Sequence, residues 1–360
     1  MESKDRAEWN GFVDTHPHGS VYHLAEWKEV IEQTYGHSTY YLLGECSCNE
    51  SGQESNASVC GILPLVHIKH FLFGNTLVSM PFLDYGGLLA ENPEVESALI
   101  REAAAIGGRL GAACIELRQT VHLKGLETGS NEQTNPAQRA VTANSNKVRM
   151  VLDLPASSDD LLRSFKAKLR SQVNRPIKDG LKYSIGGAEF LDDFYTIWLK
   201  NMRDLGSPAH SKKLFLSILQ SFEPLTRVCV VHKDGVPSAA SLIIRSKNQM
   251  LNPWASSLRE YSKLNPNMLL YWAMLEYSCE CGCSSFDFGR SSPDAGTYRF
   301  KEQWGAKPQA LYWHYIPLKP GRLRVGSHVS KRGAAEDIWR RLPVSLTAVL
   351  GPRVRKYISL

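Results

Sequence analysis

Apolar residues recur along the chain at helical and strand periods in turn, and the alternation predicts a mixed fold. An amphipathic helix is predicted over 24–34, LAEWKEVIEQT, and a strand over 39–44, TYYLLG, with Tyr40, Tyr41, Leu42 and Leu43 as its apolar body. The polar stretch 44–58 has no period and reads as a loop or hairpin tip. CGILPLVHIKH alternates as a strand, two short apolar runs follow in NTLVSMPFLDYGGLLA, 94–110 is an Ala-rich helix, and 114–119 is a strand. Residues 124–147 are polar throughout and read as a long loop or linker.

The pattern then restarts. VRMVLDL is a strand, and Ser157, Ser158, Asp159 and Asp160 form an N-cap cluster that suits the helix dipole. A basic helix is predicted over 160–180, then the strand KYSIGG and the helices AEFLDDFYTIWLKNMRDLG and SKKLFLSILQSF. A β-meander turns at Lys233-Asp234-Gly235. The apolar helix NPNMLLYWAMLEYSCECG leads to FDFG, and KPQALYWHYIPL is the last strand. This order is that of the acyltransferase fold of the GNAT type, and the first half follows it more weakly. The expected class is α/β (α+β), with two tandem GNAT-like domains at 1–147 and 148–318. The segment 319–360 is expected to return to domain 1.

Composition is that of a globular protein, with 43% hydrophobic and 22% charged residues. No apolar run reaches the roughly 18 residues that span a bilayer. The N-terminus is charged from residue 2 and has no apolar signal core. A cytoplasmic protein is expected, with the inner membrane surface as a second location. Net charge is +6, but 319–360 holds ten Lys and Arg against Glu336 and Asp337, leaving −2 for the other 318 residues. Such a tail suits RNA, anionic lipid or a phosphorylated precursor rather than DNA. DIWRRLPVSLTAVLGPRVRKYI mixes apolar and basic residues, so peripheral membrane contact through the tail competes with simple docking on domain 1.

No metal is expected. Cys279, Cys281 and Cys283 lack the C-x2-C spacing of zinc sites, and Cys46 and Cys48 read as structural or free thiols. No cofactor is expected either. The chain has no phosphate loop, dinucleotide fingerprint or nucleophile elbow, and the R/Q-x-x-G-x-G/A loop of acyl-CoA enzymes is not evident. The most informative stretch runs from Phe286 through Asp287, Gly289 and Arg290 to Tyr298, Phe300, Lys301 and Trp304, a strand end opening into a polar loop. Phe300 and Trp304, at i and i+4, also read as core with Lys301 in solvent. Lys166 and Arg170 share a helix face that reads either as phosphate-facing or as solvated. Asp84, Asp287 and Asp294 are candidate general bases, each as readily structural.

FDFGRSSPDAGTYRFKEQWGA and PNMLLYWAMLEYS resemble the Fem (FemAB-like) family of aminoacyl-tRNA-dependent peptidyltransferases, nearest the branch associated with exosortase (PEP-CTERM) and exopolysaccharide systems. EWKEVIEQTYGH, SMPFLDYGG, SFKAKLRSQVNRPIKDGL and NMRDLGSPAHSKKLF extend the resemblance over most of the chain. It implies transfer of an amino acid from charged tRNA to a cell-envelope precursor. Phe300 and Lys301 match the family's Phe-Lys pair, with Asp287 beside them. Arg203 matches its precursor-binding arginine, and Asp84, Tyr85, Arg290, Tyr298, Lys166 and Arg170 fall to substrate binding. The family's lysine after the N-terminal tryptophan falls on Ile31, which argues against a nucleotide-linked muramyl peptide as acceptor. Two alternatives stay open: an acyl-CoA-dependent N-acyltransferase of GNAT type, and a non-catalytic accessory protein that binds an envelope polymer.

Overall fold

The computed structural model describes residues 3–48, 54–124, 141–319 and 329–359. They form two compact units. The first holds the described residues up to 146 with 310–319 and 357–359; the second holds 147–309 and 329–356.

In the first unit, β1 (Ser38–Cys48) pairs antiparallel with β2 (Glu54–His70), and β2 with β3 (Gly74–Val78) and the short β4 (Leu89–Ala90). β3 runs parallel to β5 (Cys114–Gln119), and α3 (Pro93–Arg109) lies in the connection between them. α3 starts where the Asn92 side chain accepts from the Val95 N–H, with Pro93 at its first position and Glu94 and Glu96 in its first turn. Strand alternation decides which residues meet it. Leu63 and Leu65 of β2 join Leu99, Ile100 and Ile106 of α3 in one core. Ile62 faces the other way and packs with Trp9, Phe12 and Val13 of α1 (Ser3–Thr15). Trp9 is fully buried, its Nε1 donates to His23 O at 2.7 Å, and its ring lies 4.9 Å from Tyr41. The predicted helix over 24–34 is α2 (Glu26–Tyr35), ended by Gly36 in the left-handed conformation. Much of the stretch read as loop continues the strands: β1 runs through Cys48, β2 begins at Glu54, and a disulfide joins Cys46 to Cys60 across them.

β12 (Lys307–Pro317) was expected in the second domain. Its residues 312–317 pair with β5, from Tyr312 opposite Gln119 to Pro317 opposite Cys114, and 310–319 group with the first unit. Gly107 lets α3 pack closely on the residue after this strand: a Cβ there would lie 2.3 Å from Leu318 Cδ1, and that side chain would have to shift.

In the second unit the strands run in the order β6 (Val141–Asp153), β11 (Ser285–Ser291), β10 (Gln249–Ser257), β9 (Val236–Ser246), β8 (Thr226–Lys233) and β7 (Leu181–Gly186). The turn joining β8 to β9 has Asp234 and Gly235 at positive φ, as a two-residue hairpin requires. α8 (Pro266–Glu280) is apolar all round and buries eleven of its residues, so it forms the centre of the core rather than its edge. α6 (Leu191–Asp204) packs on β9 and β10, and Phe215 of α7 (Lys212–Ser221) meets Phe194 and Trp254 edge-on.

The basic helix expected over 160–180 is two helices, α4 (Ser158–Ser164) and α5 (Ala167–Lys178). Phe165 and Lys166 adopt extended backbone between them. The break turns Phe165 inward against Trp272 and Trp304, at 6.3 and 5.6 Å, a gain that a continuous helix would forfeit. The C-terminal segment also divides. α10 (Val329–Arg341) and α11 (Val344–Arg355) pack on α6 within the second unit, and 357–359 join the first. Gly351 is needed in α11 because a Cβ would meet Ala209 N at 3.1 Å and O at 3.3 Å.

His314 of β12 is fully buried, and its ring lies 5.2 Å from that of His122. Burial, with His122 second, pushes its pKa down to about 4. An unfolded histidine titrates near 6.5. The unfolded chain therefore takes the proton first as pH falls. The stability this residue contributes is full above about pH 6.5 and is lost between there and about pH 4. His314→Asn is expected to flatten the pH dependence of unfolding over that window by up to about 3 kcal/mol, measured by urea denaturation at pH 7 and 4.5. Parallel losses in both proteins would refute the assignment.

Candidate active site

The candidate site lies in the second unit, where two parallel strands part. β10 and β11 pair over three residues, Gln249–Leu251 with Ser285–Asp287. Beyond that both become irregular. β10 slips against β9 between Leu251 and Trp254, and β11 slips against β6 between Asp287 and Arg290. Gly289 sits in the second irregularity at φ +75°, a conformation that glycine adopts without strain. The result is a wedge-shaped opening in the sheet.

Charged groups concentrate on that wedge. Asp287 is 2% exposed; one carboxylate oxygen accepts from the Gly289 N–H at 2.8 Å, and the other lies 3.5 Å from Arg149 Nη1. Gln309 Oε1 accepts from Arg149 Nε and Nη2 at 2.9 and 2.6 Å, which fixes the guanidinium. Lys301 is 7% exposed and its Nζ donates to Gly289 O and Arg290 O, each at 2.9 Å. The alternative reading, Lys301 in solvent, is therefore wrong: the side chain crosses from α9 (Gly296–Glu302) to the bulge. Lys147 Nζ donates to Ser292 Oγ, and burial, then the Arg290 cation, lowers its pKa. A buried amide, Asn252 of β10, accepts from Ser241 Oγ at 2.7 Å and lies beside the Tyr271 phenol. Burial pushes that phenol up to about 12.

α9 is held by aromatic packing. Phe300 lies edge-on to Tyr271 at 4.9 Å, Tyr271 stacks on Phe288 at 5.5 Å, and Tyr298 packs against the same core. Trp304 is core, as its spacing predicted, and its buried Nε1 has no hydrogen-bond partner among the described residues. On another face of α9 a cleft of about 880 Å³ opens toward the α4–α5 break. Lys166, Lys168, Arg299, Gln303 and Trp304 are in its wall. Two of its three carboxylates, Asp160 and Asp153, are paired to Arg163 and Lys307, which are not part of that wall.

The other expected residues lie elsewhere. Arg170 does not share an open face with Lys166; its Nη1 donates to Phe165 O at 2.6 Å and Arg163 O at 3.3 Å, tying the α4–α5 break together. Arg203 ends α6, pairs with Asp204 at 2.7 Å and donates to Leu342 O at 3.3 Å. Its neighbour Asn201 bonds Ser256 of β10, the strand that borders the wedge. Asp294 adopts φ +64° in the turn before α9. Asp84 and Tyr85 belong to the first unit: Trp313 Nε1 donates to Asp84 O at 3.2 Å, and Tyr85 lies edge-on to Tyr22 at 4.9 Å. Their loop carries Met80 and Phe82 at positive φ, and such strain persists only where the surroundings enforce it. Arg118 enforces it here. It is fully buried, pairs with Glu116, donates to Leu83 O at 2.7 Å and lies over the Trp313 ring at 4.5 Å. Ile31, where the Fem lysine was absent, is core.

Sequence reasoning missed Arg149, Gln309 and Asn252. No motif marks them, because each acts through a strand partner distant in the chain. The Glu116-x-Arg118 pair was visible as two charges alternating with Ile115 and Leu117 in one short strand.

Residues 163–302 match the acetyltransferase (GNAT) domain family. Lipid II:glycine glycyltransferase of Staphylococcus saprophyticus is 21% identical, covering 85% of this chain and 89% of that protein. The enzyme of the same name from Staphylococcus epidermidis is 21% identical over 82% and 87%. Among solved structures, FemX superposes with a TM-score of 0.63 at 17% identity, covering 88% of this chain and 96% of its own. A tandem GNAT protein from the clavulanic acid pathway gives 0.52 at 13% identity, over 89% and 97%. The C-terminal domain of a putative lysylphosphatidylglycerol synthetase from Agrobacterium fabrum gives 0.54 at 13% identity, over 98% and 96%. Residues 163–302 are thus similar to a GNAT-type acyltransferase domain, and over most of its length the chain resembles the lipid II:glycine glycyltransferases.

Proposed function

We propose that the protein transfers an aminoacyl group from aminoacyl-tRNA to an amine on a cell-envelope or exopolysaccharide-associated precursor, forming an amide. The observation that carries this reading is the buried Lys301 ammonium seated on the bulge where β10 and β11 part. The amine attacks the ester carbonyl and an oxyanion develops. The carbon–oxygen bond to ribose then breaks, the ribose oxygen leaves with a proton, and the amine gives up its own. A fixed cation in a water-poor site stabilises the oxyanion more than it would in water. Asp287, already paired with Arg149, serves to hold the bulge rather than to take the proton. The cleft with Lys166, Lys168 and Arg299 suits the phosphates near the tRNA terminus. The resemblance to the glycyltransferases supports an envelope acceptor, and Arg203 is the residue of this unit proposed to meet it.

The match to the acetyltransferase family favours a second reading, acyl-CoA as donor. Offering labelled aminoacyl-tRNA and labelled acyl-CoA separately, each with an envelope-precursor extract, distinguishes them. Label is expected in an amide product from tRNA alone; label from acyl-CoA alone would overturn the donor.

Lys301→Met is expected to lower transfer by a hundredfold or more. It also leaves two carbonyls without their donor, so a loss of about 1–3 kcal/mol in stability is expected by denaturant titration. Transfer unchanged in a folded Lys301→Met protein would remove Lys301 from the mechanism. Replacing Lys166, Lys168 and Arg299 by Ala is expected to raise KM for the tRNA donor with little change in kcat. The slope of log affinity against log salt should become shallower by up to about 2.

A further inference from the structure

The hairpin between β2 and β3 ends in an exposed apolar knob. Phe71 is 88% exposed, Leu72 68% and Phe73 39%. A run of three exposed apolar residues is costly in water unless something covers it. Contacts within the unit brace the tip. His70 Nδ1 accepts from the Leu72 N–H at 3.1 Å, and its ring lies 4.6 Å from Phe71 and 5.0 Å from Phe73. Tyr357 lies 4.3 Å from His70 and parallel to Phe73, bracing the tip from the far end of the chain. Gly74, at φ +99°, lets the strand return so sharply.

Cations lie on the elements that meet the base of this hairpin within the same unit. Lys69 directly precedes His70 and is exposed. Asn75, one residue past Gly74, donates to Leu110 O and Gly111 O at 3.1 Å, so the turn that follows Arg109 at the basic end of α3 meets the base of the hairpin; Arg109 itself pairs with Glu102 at 3.5 Å. A Cβ on Gly111 would lie 3.8 Å from Lys319 Nζ.

We infer that this tip is a membrane wedge: Phe71, Leu72 and Phe73 insert into the interfacial layer of an anionic bilayer while Lys69, Arg109 and Lys319 meet lipid headgroups. Aromatic and aliphatic side chains flanked by cations are the chemistry of such contacts. The tip offers roughly 400 Å² of apolar surface, on the basis of about 200 Å² per aromatic side chain. A stable protein partner takes about 800 Å² from each side, and a convex knob presents no groove to receive one. No helix among the described residues is long and apolar enough to cross a membrane, so a surface contact of this kind is a route by which the chain reaches lipid. The contact is independent of the reaction proposed above and does not use the basic helices of the tail.

The test is flotation of the full chain with vesicles of phosphatidylglycerol and phosphatidylethanolamine, and with phosphatidylcholine vesicles as the neutral control. Binding to the anionic vesicles, reduced at least tenfold in F71S/L72S with an unchanged melting temperature, is expected. Replacing Lys69, Arg109 and Lys319 by Gln should reduce it by about fivefold per cation at low salt. Phe71→Trp should shift its fluorescence to the blue with the anionic vesicles. Equal binding by F71S/L72S and the wild type overturns the proposal. So does a wild-type dimer in light scattering that F71S/L72S abolishes, since the tip would then cover a second copy of this chain.

Discussion

Two parallel strands that share only three residue pairs leave the middle of a sheet open, and an opening lined by backbone carbonyls needs a partner for them. In this protein the partner is an ammonium group. Lys301 spans from α9 to Gly289 O and Arg290 O, and Asp287 receives the Gly289 N–H from the other side. Acid and base thus fix one glycine bulge between them. Arg149 and Gln309 then fix the acid, and Phe300, Tyr271 and Trp304 fix the helix that bears the base. The arrangement gives a buried lysine two carbonyl acceptors. Burying a charge is tolerated only with such partners.

The first unit solves a similar problem with different residues. Its parallel pair, β3 and β5, carries the buried Glu116–Arg118 pair beneath the strained loop that holds Asp84 and Tyr85. Here the cation belongs to a strand rather than to a following helix. It holds a loop in place through Leu83 O, where Lys301 holds a bulge. Related folds can therefore place charge by different local means, and a shared fold does not make both units catalytic.

The sequence made the second unit legible because its elements are long and strongly periodic. α8, the β8–β9–β10 meander and the FDFG-to-FKEQWG stretch all stood where periodicity put them. Three things were hidden. α1 was not foreseen, because Trp9, Phe12 and Val13 are scattered among charges and gain their meaning from Ile62, fifty residues on. The α4–α5 break was invisible because the pull on Phe165 comes from Trp272 and Trp304. Lys301 itself could be read as solvated, since nothing local shows that Gly289 and Arg290 will present carbonyls to it. Arg149 and Gln309 were missed for the same reason. Contacts across strands carry no short-range signature.

The proposed function requires that the wedge at Gly289 receive the acyl end of a tRNA-borne donor. Hydrogen exchange by mass spectrometry tests it directly, using an aminoacyl-RNA hairpin whose ester is replaced by a stable amide. Slowed exchange is expected in the peptide spanning Asp287 to Ser292, with none from coenzyme A at the same concentration. Protection of that peptide by coenzyme A alone, or by neither ligand while the RNA binds elsewhere, would contradict it.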